Sequence, residues 1–376
     1  MSQAIRSLPR ALFTALALAL AGTCSGAPAA EGRHALFDPQ ARREALARGE
    51  FVQAQAACLT VPRDVRWARM PLPQGLKGTD DPASETSSTA LTWALMILAG
   101  RSLAGDAASE ADLVELLRRS ATENAFSVAE PSEDSELQLK RSLVAIIVSY
   151  GVVRDRIDQP TRELVNRWLD PLVRDPDRRF AGVGSEDQQG YLSDVVSMLW
   201  GNLAGDRALY ETGLQRYRAA LANARADGSL PLQARRGARA AWHHQSALAS
   251  LTLLAEAAAA NGDDLYGLEI DGRSLDLVVG HLVNVITAPA IGRAYAAANQ
   301  DSGTAADPGV MDLSFLDRRF AGRHLMAFSE ALMARNSQKR IGQRRLEALL
   351  LSRSAAARPL IDEFSGGNAT CFWLQK

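Results

Sequence analysis

One period constrains this chain more than anything else in it. Apolar and small residues recur at three- and four-residue spacing through segment after segment, and no run alternates at period two, so an all-α fold is expected. The spacing predicts helices over 38–57, 84–99, 109–119 and 135–150, then from Gln159 onward with Leu164, Trp168 and Leu172 on one face. Further helices are expected over 192–203, 206–225, 240–260, 274–286, 316–335 and 341–357. Asp38-Pro39 reads as N-cap and first-turn proline, Ser109-Glu-Ala-Asp112 as a capping signal, and Asn261-Gly262 as a helix stop. Leu230-Pro231-Leu232 reads as extended, and 299–309 as a polar, glycine-rich loop. Short Gly/Asp turns join the helices into antiparallel pairs recurring at roughly fifty residues, without a strict sequence repeat.

With 376 residues the chain is long enough to bury a substantial core in one large domain or two smaller ones. A net charge of −1 excludes nucleic-acid binding by bulk electrostatics. The basic residues are almost all arginine, with lysine only at Lys77, Lys140, Lys339 and Lys376. The N-terminus has the form of a secretory signal over residues 1–29. Arg6 and Arg10 precede an apolar run, Ala11 to Ala21, and Ala27-Pro28-Ala29 is an A-x-A cleavage site. That run is too short to span a membrane. Thr23 makes Gly22-Thr23-Cys24 a poor lipidation signal. An exported, periplasmic protein is therefore expected, with residues 30–376 as a single mature domain. Removing Cys24 leaves Cys58 and Cys371, which are expected to bridge in an oxidising compartment.

The chemistry-bearing residues cluster between Gly182 and Leu254. Asp187-Gln188-Gln189-Gly190-Tyr191-Leu192 opens one apolar helix, and Arg235-Arg236-Gly237-Ala238-Arg239-Ala240-Ala241-Trp242-His243-His244 leads into another. These strings resemble those of the mannuronate-cleaving alginate lyases, polysaccharide lyase family 5. That family carries Asn-Asn-His-Ser-Tyr-Trp at the first place and Arg-Arg-x-Arg-x-x-x-Tyr-His-Asn at the second. The third arginine is displaced here by one residue, and the family's proton-carrying histidine and tyrosine are replaced by Gln189 and Trp242.

The resemblance implies an incomplete (α/α) toroid of antiparallel helix hairpins with a groove along one face, and β-elimination on a uronic-acid polymer. That reaction needs the uronate carboxylate neutralised, a base for the adjacent proton and an acid for the leaving oxygen. Arg235, seven residues before Trp242, matches the catalytic arginine, and its planar fork suits a carboxylate. Gln188 stands for the carboxylate-binding asparagine. Gln189 can orient or hydrogen-bond but cannot accept a proton at neutral pH, and Trp242 offers an N–H and a flat face for a sugar. The titrating candidates are His243, matching a family histidine, His244, standing where the family has asparagine, and Tyr191, whose pKa a nearby Arg235 would lower. Adjacent helical residues point about 100° apart, so both histidines can hardly face one site. His244 and Arg239 are further candidates for substrate contact. So are Arg318 and Arg319, in a stretch Asp312–Phe320 that resembles the family's last groove helix.

No cofactor and no metal are expected, since a metal site at His243-His244 needs a third ligand of the same kind, and His281 and His324 lie far along the chain. Asp362 and Glu363 read as a solvated acidic pair. The expected partner is an acidic polysaccharide bound by a monomer. Two rival readings stand beside the lyase. One is a polyuronate-binding protein that has lost its base. The other is a glycoside hydrolase using two carboxylates among Glu186, Asp187 and Asp194.

Overall fold

Two identical strings, Leu103-Ala-Gly-Asp106 and Leu203-Ala-Gly-Asp206, show how this chain turns a corner. The structure, a computed structural model, describes residues 34–76, 82–129, 132–174, 188–296, 310–335, 340–353 and 357–375. In each string the glycine takes a left-handed conformation, φ +90° at Gly105 and +70° at Gly205, which ends one helix. The aspartate then caps the next. Asp106 accepts from the backbone N–H of Ala108 and Ser109 at 3.1 and 3.2 Å, and Asp206 from Ala208 and Leu209 at 2.9 and 3.2 Å. Each such cap contributes about 1 kcal/mol. The hairpins so made are α3 (Pro82–Leu103) with α4 (Ala107–Thr122), and α7 (Gln188–Ala204) with α8 (Arg207–Asn223).

Between them lie α5 (Glu133–Val153) and α6 (Gln159–Arg174), and before them the short α1 (Pro39–Ala47) and α2 (Val52–Leu59). After them come a single turn α9 (Pro231–Ala234), the long α10 (Ala240–Ala259), α11 (Leu275–Thr287) and α12 (Ala290–Ala296). The chain closes with α13 (Ser329–Ala334), α14 (Ile341–Leu351) and α15 (Ala369–Trp373). Three two-residue strand pairs act as clips between loops: Gly75–Leu76 with Val128–Ala129, Glu269–Ile270 with Arg273–Ser274, and Ile361–Asp362 with Gly367–Asn368.

Four helices run parallel, and residue pairs along them fix the register. Gln138 on α5 donates to Ser88 on α3 at 2.8 Å. Further along, Val148 of α5 and Met96 of α3 pack against the adjacent Gly366 and Gly367. Gly151 of α5 meets Leu203 of α7, while the charge of Lys140 is felt at Asp194. Asn202 of α7 reaches the carbonyl of Ala257 on α10 at 3.3 Å, and Met198 and Leu254 both pack on Gly213. So α3, α5, α7 and α10 form an inner set with all their starts at one end. The returning helices lie outside, as Arg216 of α8 against Asp194 shows. Large side chains fill the space between, Trp200, Tyr150, Tyr210 and Tyr217 among the most deeply buried. This is the expected α/α toroid-like, all-helical architecture.

The end where the inner helices finish is sealed by the C-terminal segment. Cys371 is bonded to Cys58, with Cα atoms 4.8 Å apart across 313 residues, and it sits against Gly100 of α3. Asn368 donates to Ala57 O, and Trp373 donates to Glu256 near the end of α10. The expected bridge is therefore present.

Several local expectations change. The 38–57 helix is two helices, separated at Gly49, φ +72°. The cap of α4 is Asp106, not Ser109. Leu230–Leu232 runs into the helical turn α9, which Pro231 starts, rather than an extended stretch. The helix expected over 316–335 is three separate 3₁₀ turns followed by the short α13. Positive φ at Ala321 (+60°) and Gly322 (+85°) interrupts it. The signal over 1–29, the turn at 182–184 and the loop at 299–309 lie outside the described residues.

Candidate functional site

Polar side-chain types gather near the starts of two inner helices, Gln188 and Gln189 on α7 and His243, His244 and Gln245 on α10. Residue offsets between α7 and α10 are nearly constant, because both advance 1.5 Å per residue. Carried back from Asn202 and Ala257, that offset sets Gln188 level with His243. The two motifs, about fifty residues apart in sequence, thus share one end of the ring.

The arginine segment is built by a sharp turn between α9 and α10, where Gly237 sits at φ +55°. Arg235 is exposed, and among the described residues it makes no ion pair or side-chain hydrogen bond. Arg239 is half exposed, with its Nε 4.0 Å from Asp312 and its guanidinium 4.9 Å from the centre of the Trp242 ring. One face of the expected sugar platform is therefore covered by an arginine. The Trp242 ring, half-buried, also packs edge-on against His243 with centroids 5.4 Å apart. His243 is half-buried at this same end.

His244 points elsewhere. It is 3% exposed, its Nε2 lies 3.0 Å from the carbonyl of Val278 and its ring stacks on His281 with centroids 4.9 Å apart. Burial, followed by the neighbouring His281, pushes its pKa down to about 3, so it stays neutral. The expectation that His244 contacts substrate is corrected: adjacent helical residues diverge by about 100°, and this one faces the core. His281, distant in sequence, is a packing partner of His244. Among the described residues no three His, Cys, Asp or Glu side chains are grouped to hold a metal ion.

On α7, Tyr191 is 8% exposed, and its neighbour is Arg216 of α8, whose guanidinium lies 5.3 Å from its ring centre. Burial raises the phenol's pKa, with Arg216 opposing. The expected lowering by Arg235 is overturned, and Tyr191 stays protonated at neutral pH. Arg216 also pairs with Asp194, whose carboxyl burial pushes up. That pairing removes one candidate carboxylate for hydrolysis, while Glu186 and Asp187 lie outside the described residues. Gln188 and Gln189 are the first residues of α7, and their side chains lie outside the described set.

The segment from Asp312 to Leu325 crosses the same end. Asp312 N donates to Ala238 O at 2.7 Å, and Gln245 of α10 donates to Leu325 O at 2.8 Å. Arg323, 2% exposed, stacks 5.4 Å from the Trp93 ring centre and reaches Thr89 O on α3. Asp362 and Glu363, expected in solvent, are instead buried beside this segment, Asp362 hydrogen-bonded to Arg319 and Glu363 paired with Arg323 at 2.9 Å. Burial, then Glu363, pushes Asp362 up to about 6 against the pull of Arg319. Glu363 is held below its usual range by Arg323, Arg319 and Arg141, which together outweigh its burial. Arg318 is engaged by the carbonyls of Gly322, Ala357 and Pro359. Arg319 keeps 32% of its side chain exposed. Arg216, Arg323 and the buried acid pair were missed from sequence. The apolar flanks of the pair, Leu360-Ile361 and Phe364, were the one available signal.

Comparison with known proteins falls on this same region. The alginate lyase family model matches residues 144–291, which include both motifs. A polysaccharide lyase of Stenotrophomonas maltophilia (strain K279a) is 30% identical over 131 residues, 33% of this chain and 38% of that protein. The match thus spans well under half of that relative. Among solved structures, alginate lyase A1-III of Sphingomonas species A1 superposes with a TM-score of 0.72 at 20% identity, covering 90% of this chain and 95% of that one. A variant of the same enzyme complexed with a tetrasaccharide gives the same TM-score, covering 90% and 94%. The fold is that of alginate lyase A1-III, and over residues 144–291 the chain is similar to the alginate lyase family.

Proposed function

We propose that this protein is an exported polysaccharide lyase that cleaves an acidic, uronate-containing polysaccharide by β-elimination, acting as a monomer in the periplasm. The observation that carries the reading is the exposed Arg235, in the turn that leads into α10 and inside the matched segment. The bridge between Cys58 and Cys371 supports export, because such bonds persist in oxidising compartments.

In this reading Arg235 pairs with the uronate carboxylate and so acidifies the adjacent C–H. His243 takes that proton, the electron pair forms the ring double bond, and the glycosidic oxygen leaves. Tyr191, held neutral by burial, gives the leaving oxygen its proton. The amides of Gln188 and Gln189 bind and orient, and the open face of Trp242 supports a sugar ring.

A second reading, a binding protein without catalysis, is favoured by one specific feature: neither Gln189 nor Trp242 can exchange a proton where the family does. Incubation with a panel of acidic polysaccharides separates the readings. A lyase generates the ultraviolet absorbance of an unsaturated uronate. A hydrolase generates reducing ends without that absorbance, and a binding protein generates neither while still retaining polymer.

A further inference from the structure

An arginine of the outer helix layer reaches the start of α7, where Gly190 makes room for it. Arg216 lies on α8, and its guanidinium sits 5.3 Å from the centre of the Tyr191 ring. A Cβ at Gly190 would stand 3.2 Å from Arg216 Nη2 and 3.7 Å from Cζ. The glycine therefore lets the guanidinium lie against the turn that carries Gln189 and Tyr191. The fork is also fixed from its other side, because Arg216 Nε donates to Asp194, one turn further along α7. Asp194 in turn feels the charge of Lys140 on α5, itself buried and paired with Glu136. The pair of Arg216 with Asp194 is partly open to water, so its contribution to stability is modest.

We propose that Arg216 is a positioning residue for Tyr191, fixing the ring from α8 and offsetting the negative charge that the phenol acquires when it gives up its proton. The inference rests on the reading of Tyr191 as the acid of elimination. In that step the Tyr191 O–H bond breaks and the proton goes to the leaving glycosidic oxygen. The electron pair stays on the phenol oxygen, and Arg216 keeps all its protons. The phenolate so formed belongs to a residue only 8% exposed, and burial opposes its charge. Asp194 adds to that opposition, and Arg216 works against both. Among the described residues, the charges bearing on the phenol are thus Arg216 from α8 and Asp194 from its own helix, with Lys140 of α5 acting on Asp194. A guanidinium suits this post better than an ammonium, because it can meet a ring face and hold a carboxylate edgewise at once.

The test reads Tyr191 directly and the reaction separately. Tyrosine is replaced throughout the full chain by 3-fluorotyrosine, whose more acidic phenol titrates at lower pH, and each ring is followed by fluorine NMR, with Tyr191→Phe assigning the Tyr191 signal. The Tyr191 midpoint in Arg216→Gln is expected at least about one unit above wild type, with Arg216→Lys between the two. The double variant Asp194→Asn/Arg216→Gln is expected between them as well, and it gives the same comparison without an unpaired carboxylate if Arg216→Gln fails to fold. On a polymer that the wild type cleaves, Arg216→Gln is expected to lower kcat at least about fivefold with KM unchanged, and Arg216→Lys to recover part of the loss. Midpoints in Arg216→Gln and the double variant equal to the wild-type one overturn the proposal. A raised midpoint with an unchanged kcat removes Tyr191 from the reaction, and the positioning role with it. A wild type that generates no unsaturated-uronate absorbance on any polymer overturns the lyase reading, while the midpoints still decide whether Arg216 governs Tyr191.

Discussion

The two ends of the inner helix set are made of similar residue types put to opposite uses. Where the helices finish, charged groups are spent inward: Glu256 holds Trp373, Arg335 and Tyr266, and Glu330 holds Arg358 and Thr370. The disulfide then locks the tail over that end. Where the helices start, Arg235 is left in solvent, Arg239 only leans on Asp312 and Trp242, and Phe320 stands clear of the surface. An exposed ion pair contributes little to stability, and an unpaired arginine contributes less. The lesson is that one end commits its charged groups to holding the fold, whereas the other leaves part of its arginine complement in solvent.

That contrast can be broken at either end. The largest effect is expected from the proton carriers at the open end. His243→Gln and Tyr191→Phe should each lower the rate of elimination roughly 10²- to 10⁴-fold, with substrate affinity almost unchanged. Steady-state and binding assays on the two variants check this, and a neutral result at both positions means that the base lies elsewhere. At the closed end, Cys58→Ser opens a loop of 313 residues. It should cost roughly 3–5 kcal/mol in denaturant unfolding, with little change in activity while the protein remains folded.

A smaller effect is expected in acid. His244 is neutral in the fold down to about pH 3 but titrates near 6.5 when unfolded. Its contribution is therefore present above that unfolded value and is lost as pH falls, at up to about 1.4 kcal/mol per unit. Denaturant midpoints across this range should fall less steeply for His244→Gln than for the wild-type chain.

The helices were legible because their signals are local. Asp38, Asp206 and Gly262 each specify a helix end within a turn of themselves. The crossing segment was not legible. Leu316–Arg335 has helical spacing, yet its carbonyls and arginines are claimed by distant partners, Gln245, Thr89 and Asp362, that no local pattern reveals. The same cause hid the burial of Asp362 and Glu363, and gave Tyr191 the neighbour Arg216 in place of Arg235. His244 was misjudged for the opposite reason. A family match places a residue on a helix, whereas the 100° step between neighbours decides which side it faces. What the two motifs did show was their common end, because four parallel helices with nearly equal offsets bring them level.

The most direct test of the account compares wild type and Arg235→Ala in one assay, the growth of unsaturated-uronate absorbance on an acidic polysaccharide, with melting temperatures taken on the same samples. Arg235 is exposed and makes no ion pair among the described residues, so its loss should leave the melting temperature unchanged and slow the reaction by roughly 10²–10³-fold. Equal rates for the two proteins would contradict the claim that the open end carries the chemistry.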